Sequence, residues 1–204
     1  MGQTVAGAII AGLAIPAGAI ADQRGRRLLL AGATAMMILA TAGLWFAQPQ
    51  PRFQALALAL VVLGTVSFEI ATIFYNAMLT DIAPQGRIGR LSGLAWGSGY
   101  VGGLICLTIC LAVLINPKPP LFGLSSKGAE PIRATTLFAA AWIALFSWPI
   151  ILLAPRAREA RTWAEALRAS VKTLRHAVTM AAIRPYLRGF LVARMIYTDG
   201  LTTL

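Results

Sequence analysis

Charged residues are scarce in this sequence. Only 12% of the 204 residues are Asp, Glu, Lys or Arg, and only seven of those are acidic. A soluble domain carries roughly a quarter charged residues, which it needs to cover a surface that faces water. Apolar residues make up 58% of the chain and the mean hydropathy is +0.73. The composition therefore excludes an ordinary soluble domain and predicts that lipid is the solvent for most of the chain.

Histidine and cysteine are almost absent too. The chain has one histidine and two cysteines, Cys106 and Cys110, and no His or acidic residue stands near the pair to complete a metal site. We expect these cysteines to pack between helices. The sequence also contains no Ser-His-Asp set and no phosphate-binding loop, so it predicts no catalytic residue, no cofactor and no metal, and a protein that is not an enzyme.

Long uncharged stretches dominate what is present. Four of them carry no charge and a fifth carries only Glu69: 1–21, 28–51, 91–117, 134–155 and 53–80. About 20 apolar residues suffice for one membrane-spanning helix, whereas a barrel strand crosses in about ten with strict alternation. The prediction is an all-α, polytopic membrane helix bundle with five complete spans. A sixth stretch, 189–204, is shorter and carries Arg194 and Asp199.

The basic residues are distributed unevenly between the two sides of these spans. Thirteen of the 18 fall on one side: Arg24, Arg26, Arg27, Arg87, Arg90, Arg156, Arg158, Arg161, Arg168, Lys172, Arg175, Arg184 and Arg188. The other side holds Arg52, Lys118, Lys127 and Arg133. Because Lys and Arg near spans are retained in the cytoplasm, Met1 is predicted outside and 155–188 inside. The basic excess is thus topological, with the bilayer and not nucleic acid as the partner.

The stretch 1–21 is predicted to be a span and not a signal peptide, because its basic residues follow the apolar run instead of preceding it. The expected location is a bacterial inner membrane, crossed several times.

A short basic loop follows this first span. It carries Gly18, Asp22, Gly25, Arg26 and Arg27 in the pattern Gly-x-x-x-Asp-x-x-Gly-Arg-Arg. This pattern resembles the loop between the second and third helices of major facilitator superfamily transporters. The resemblance implies a conformational latch, in which Asp22 and the arginines, Arg24 included, form charge-assisted pairs in one state and break them in another. The alternative is a loop whose basic residues only fix the orientation of the neighbouring spans in the membrane.

Three further segments narrow the resemblance: Phe74-Tyr-Asn through Asp81-Ile-Ala-Pro84, the glycine-rich 89–103, and 190–200. They are similar to the vacuole effluxer branch of that superfamily, which includes autophagy-related vacuolar amino-acid exporters. Superfamily members have two six-helix halves, about twelve helices in all. The resemblance implies that this chain corresponds to roughly helices two to seven, a partial N-terminal half of the fold.

The resemblance also implies a function, secondary-active transport of a small solute by alternating access, with amino acids as one candidate class and protons as a candidate coupling ion. The alternative is a non-transporting membrane fragment, or a subunit whose partner chain supplies the remaining helices.

Three parts are expected along the chain. Residues 1–154 form five helices, 155–188 form a basic amphipathic cytoplasmic linker, and 189–204 begin the first helix of a second bundle. In the linker, Trp163, Leu167 and Val171 begin an apolar stripe at helical spacing. Such a helix suits either the membrane surface or the underside of a transporter core.

Glu69 is the one carboxylate deep in a complete span. An ionised group there costs at least a few kcal/mol on insertion scales, so it must face the bundle or a wet cavity. It is expected to couple protons, to bind a cationic group, or to bridge two helices as a neutral side chain. Tyr75, Asn76 and Asp199 are further candidates for the solute or proton pathway.

Two other sets complete the predicted sites. A second cytoplasmic loop is expected to contain Asp81, Arg87, Gly89 and Arg90, because it repeats the Asp and Gly-Arg features of the first. Within 91–117, helix packing is assigned to glycines spaced for close approach: Gly93, Gly97, Gly99 and Gly103.

Overall fold

The computed structural model describes residues 26–153, except 85, 118–120 and 126–127, together with short pieces between 168 and 196. In this part of the chain four long helices follow one another and no strand occurs. They are α1 (Arg26–Gly43), α2 (Gln54–Ile82), α3 (Ile88–Ile109) and α4 (Glu130–Leu153). The predicted first span, the linker core and most of 189–204 lie outside the described residues.

All four helices are long and apolar enough to cross a membrane. Their large apolar side chains are exposed on most faces, with Leu39, Tyr100 and Leu145 each about two-thirds exposed. In water such exposure would be costly, whereas in a bilayer these side chains meet lipid. The prediction of an all-α polytopic bundle is confirmed.

The helices end where proline, glycine or charge interrupts the apolar pattern. A 3₁₀ turn, Leu44–Phe46, ends α1, and Pro51 opens the short turn that leads into α2. Gly86 adopts φ +80° between α2 and α3, a conformation that other residues rarely adopt. α4 begins at Glu130, four residues earlier than the uncharged stretch suggested, and accommodates Pro149 within it.

The bundle is built around α1, which packs against both α2 and α4. At one end, a buried cluster combines Leu30 of α1 with Ala71, Phe74 and Met78 of α2, and Ile150 of α4 packs against it. Further along, the backbones of α1 and α2 approach closely. A Cβ on Gly43 would lie 3.2 Å from a methyl carbon of Leu60.

The opposite end, which the basic residues predict to lie outside, is called the outer end here. Here Arg133, near the start of α4, links α4 to the end of α1. The Arg133 guanidinium donates from Nε to the carbonyl oxygen of Trp45 at 2.6 Å, and Nη2 donates to the same oxygen. It also lies 4.7 Å from the centre of the Trp45 ring. Arg133 thus satisfies a carbonyl just beyond the end of α1, where backbone oxygens lack helical partners.

α3 is the least packed helix. Its α-helical part has no buried residue, and it meets α4 mainly through a π-helical turn, Cys110–Ile115, at the outer end. Cys110 is buried in that turn while Cys106 is half-buried. The π turn widens the helix by one residue per turn and was not predicted from the sequence.

Candidate functional site

Four polar residues form one stripe along α2, called the α2 stripe here. Thr65, Glu69, Thr72 and Asn76 follow one another at steps of four, three and four residues, the spacing of a single helix face. Thr65, Glu69 and Thr72 are half-buried, and Asn76 is exposed. Glu69 is the sixteenth of the 29 residues of α2, so the stripe is centred close to mid-membrane.

This stripe points away from the packed core. The buried residues Ser67 and Ala71 lie two positions on either side of Glu69, which is about 200° around a helix in each direction. Phe74 and Met78 continue the buried face. α2 therefore holds apolar contacts on one side and presents Glu69, its one carboxylate near mid-membrane, on the other.

The two threonines are fixed by their own helix. The Thr65 hydroxyl donates to the carbonyl oxygen of Val61 at 2.9 Å, and the Thr72 hydroxyl donates to that of Phe68 at 2.9 Å. Each hydroxyl has only one proton to donate. Toward a neighbouring group, each of these hydroxyls can therefore only accept a hydrogen bond, through the lone pairs of its oxygen.

Glu69 has no counter-charge within the described part of the chain. None of the residues described there donates a hydrogen bond to its carboxylate or forms an ion pair with it. The stretches 28–51, 53–80, 91–117 and 134–155 contain no Lys or Arg. A carboxylate at this depth needs a proton, a cation or a polar partner to be tolerated.

Of the other predicted pathway residues, Asn76 belongs to this stripe and Tyr75 does not. Tyr75 packs against the cluster formed by Leu30, Phe74 and Met78, whereas the adjacent Asn76 is exposed on the stripe side. Asp199 lies outside the described residues. The structure thus brings Asn76 into line with Glu69, whereas Tyr75 packs against the buried cluster.

Several residues of the two predicted cytoplasmic loops belong to helices in the described part of the chain. Arg26 begins α1 and Arg27 follows in its first turn, while Gly18, Asp22, Arg24 and Gly25 lie outside the described residues. In the second loop only Arg87 lies between helices. Asp81 belongs to the last turn of α2, and Gly89 and Arg90 to the first turn of α3. A long charged side chain at a helix end can extend its charged group to the membrane–water interface. The helices can therefore include charged residues that the sequence analysis assigned to loops.

The glycines of α3 line an open surface. A Cβ added at Gly93, Gly97, Gly99 or Gly103 would meet nothing within 4 Å among the described residues. Gly93 and Gly97 border an apolar groove between α3 and α4 that Trp142 and Phe146 complete. Close approach through small residues occurs instead between α1 and α2, at Gly43 and at Gly64, whose added Cβ would lie 3.8 Å from Ala40.

Sequence reasoning missed two parts of this arrangement. Thr65 and Thr72 were not singled out, although their spacing of four and three residues from Glu69 was a readable signal. The Trp45 contact of Arg133 had no local signal, because it joins positions 88 residues apart.

Four membrane-length apolar helices, and the absence of strands from the described residues, define an α-helical, multi-pass integral membrane protein. The chain matches the family described as "Vacuole effluxer Atg22 like" over residues 2–204. It therefore belongs to this family of major facilitator-like transporters, as its loop and helix motifs predicted.

One relative is an uncharacterized MFS-type transporter, YxiO, of Bacillus subtilis (strain 168). It is 30% identical over 151 residues, which is 73% of this chain and 34% of the relative. The chain thus spans about a third of the length of that curated relative. No solved structure matches the chain.

Proposed function

We propose that the protein takes part in secondary-active transport of a small solute by alternating access, and that the α2 stripe lines the solute and proton pathway. The single observation that carries this proposal is the placement of Glu69. It is a mid-membrane carboxylate, turned away from the packed core and flanked by two hydroxyl groups on the same face. Family membership supports a transporter. Amino acids are one candidate solute class, and protons are the proposed coupling ion.

A water-filled pathway along this face can be tested by thiol labelling. Maleimides react with the thiolate, which forms where water is present and not in hydrocarbon. With Cys106 and Cys110 replaced by serine, we expect a cysteine at Thr72 to react with a membrane-impermeant maleimide.

Two control positions separate the possible results. A cysteine at Ala71 is buried on the opposite face, and one at Leu145 is exposed to lipid near the middle of α4. Both should stay unreactive. If Thr72→Cys labels as slowly as Leu145→Cys, the α2 stripe faces lipid or protein and the proposal fails.

We further propose that the first cytoplasmic loop acts as a latch. The pattern that includes Asp22, Gly25 and Arg26 supports it, since a loop needed only for topology requires arginine alone. In the full-length context, Asp22→Asn should slow transport while leaving expression largely intact, because it shifts the balance of conformations without unfolding helices. Transport kinetics equal to those of the parent, at matched protein levels, would refute the latch.

A further inference from the structure

We propose that the groove between α3 and α4 binds an anionic phospholipid of the cytoplasmic leaflet. The phosphate binds Arg87 and Arg90 at the inner end of the bundle, opposite the outer end, and one acyl chain lies along the groove. This inference does not depend on the proposed function, and it assigns a ligand to a surface that the α2 stripe does not include.

The groove is an apolar cavity of about 490 Å³. Gly93, Gly97 and Val101 belong to its α3 side. Trp142 and Phe146 form its α4 side, with their ring centres 4.7 Å apart. A Cβ added at Gly93 or Gly97 would meet nothing within 4 Å in the described part of the chain. An apolar ligand can therefore lie directly against the α3 backbone.

The length of the groove fits an acyl chain better than a membrane-spanning helix. From Gly93 to Ile105 the helix rises by about 18 Å, and one leaflet supplies about half of a hydrocarbon core of about 30 Å. Toward the outer end, the π-helical turn Cys110–Ile115 contacts α4. A helix that crossed the whole membrane would meet this contact, whereas an acyl chain that enters from the inner leaflet ends before it.

The two arginines lie where the groove begins. Arg90, Gly93, Gly97 and Val101 follow one another at steps of three, four and four residues, so they share one face of α3. Arg87 directly precedes the helix, and both arginines are exposed. Because Cβ atoms tilt toward the start of a helix and long side chains carry their charge to the interface, Arg90 extends toward the inner surface beside Arg87. A phosphate there lies about one helical turn from the groove.

Charge complementarity favours an anionic headgroup. In the described part of the chain, neither Arg87 nor Arg90 forms an ion pair or a side-chain hydrogen bond, and the first turn of α3 has no acidic residue. The predicted inner side carries thirteen basic residues but only four acidic ones: Asp22, Asp81, Glu159 and Glu165. Internal pairing therefore cannot neutralise most of the arginines. Guanidinium groups bind phosphate well, and basic pockets between helices on the cytoplasmic side bind anionic headgroups.

Thermal unfolding of the purified, delipidated full chain in a neutral detergent provides the test, because a ligand that binds the folded state raises Tm with concentration. The probes are dioleoylphosphatidylglycerol, dioleoylphosphatidylcholine and glycerol 3-phosphate. At equal mole fraction, we expect phosphatidylglycerol to raise Tm more than phosphatidylcholine does. Glycerol 3-phosphate, which has no acyl chain, should leave Tm unchanged. Equal shifts from the two lipids, or a shift from glycerol 3-phosphate equal to that from phosphatidylglycerol, would overturn the proposal.

Substitutions of arginine test the headgroup contact. Arg87→Gln and Arg90→Gln should each raise the apparent Kd for phosphatidylglycerol about fivefold, the factor expected for one basic residue near an anionic headgroup. Arg52→Gln is the matched control, because it removes the same charge from an exposed arginine at the outer end. Equal weakening by all three substitutions would show attraction to net charge alone and would contradict the assignment.

Two glycine substitutions test the acyl-chain contact. Gly97 and Gly99 are both exposed, and a Cβ added at either meets nothing within 4 Å among the described residues. Of the two, only Gly97 lines the groove. We expect Gly97→Leu to remove the preference for phosphatidylglycerol over phosphatidylcholine and Gly99→Leu to retain it.

Two results from the glycine variants would overturn the site. A preference that is lost in both variants, or retained in both, would show that the acyl chain does not lie in the groove. A lower Tm for Gly97→Leu than for Gly99→Leu before any lipid is added would show that a protein segment fills the groove, as helix packing on Gly97 requires.

Discussion

At the scale of single residues, Arg133 connects two helices whose contacting positions are 88 residues apart. Its guanidinium donates twice to the Trp45 carbonyl oxygen and accepts no bond, so its planar geometry matters as well as its charge. It also donates to the Gly128 carbonyl oxygen at 3.4 Å. Removing it leaves the Trp45 carbonyl oxygen without these two donors.

We expect Arg133→Gln to lower the stability of the purified protein by about 1–3 kcal/mol, because hydrogen bonds from a charged donor are lost. Arg133→Lys should recover only part of this, since Lys lacks the paired donors. Thermal unfolding in detergent measures both. Arg52→Gln is the control: Arg52 also lies 4.7 Å from an aromatic ring, that of Phe53, at the same end, and it makes no carbonyl bond between helices in the described residues. Equal losses from Arg133→Gln and Arg52→Gln would contradict a specific role for the Trp45 carbonyl.

Glu69 was predictable as a candidate because one charge stands out in an uncharged stretch. Its orientation was not, since a helix of nearly uniform hydrophobicity does not reveal from sequence which face packs. The buried positions Ser67 and Ala71 settle the face only once α1 is in place. For the same reason Tyr75 and Asn76, adjacent in sequence, were predicted together and are separated by the structure.

At the scale of helices, the α1–α2 contact depends on small residues. Gly43 faces Leu60, whose side chain has to shift to admit even a Cβ at 3.2 Å, and a leucine there needs considerably more room. We expect Gly43→Leu to destabilise the protein by about 1–3 kcal/mol through overpacking. Gly32→Leu, also in α1 but with nothing within 4 Å of its added Cβ among the described residues, should be close to neutral. The measurement is thermal unfolding of the two variants under the same conditions. A larger loss of stability in Gly32→Leu than in Gly43→Leu would show that the packing of α1 depends on another surface.

The existence and approximate extent of the described helices could be predicted from the sequence, because an uncharged run of membrane length has few alternatives to a membrane-spanning helix. Their pairing did not. The sequence placed close packing on the glycines of 91–117, whereas the described residues show it between Gly43 and Leu60 and between Gly64 and Ala40. Helix pairing depends on the three-dimensional fit of faces that are all apolar. Packing on Gly93, Gly97, Gly99 and Gly103 remains a prediction.

At the scale of the whole molecule, orientation follows from the basic residues. Thirteen of them on one side against four on the other predict that Gln50, exposed between α1 and α2, lies outside, and that position 165 lies inside. In intact cells, on a background lacking Cys106 and Cys110, a cysteine at 50 should react with an impermeant maleimide and one at 165 should not. The reverse pattern would invert the topology.

Proton coupling through Glu69 is the central claim, and transport driven by an imposed pH gradient tests it most directly. The protein, in its full-length context, is reconstituted into proteoliposomes, and the flux of a radiolabelled amino-acid mixture is measured with and without the gradient. Glu69→Gln keeps a polar side chain of similar size but cannot carry an exchangeable charge. We predict that the parent's flux follows the gradient and that the flux of Glu69→Gln does not. A Glu69→Gln variant that responds to the gradient as the parent does would contradict the account and leave Glu69 as a packing residue.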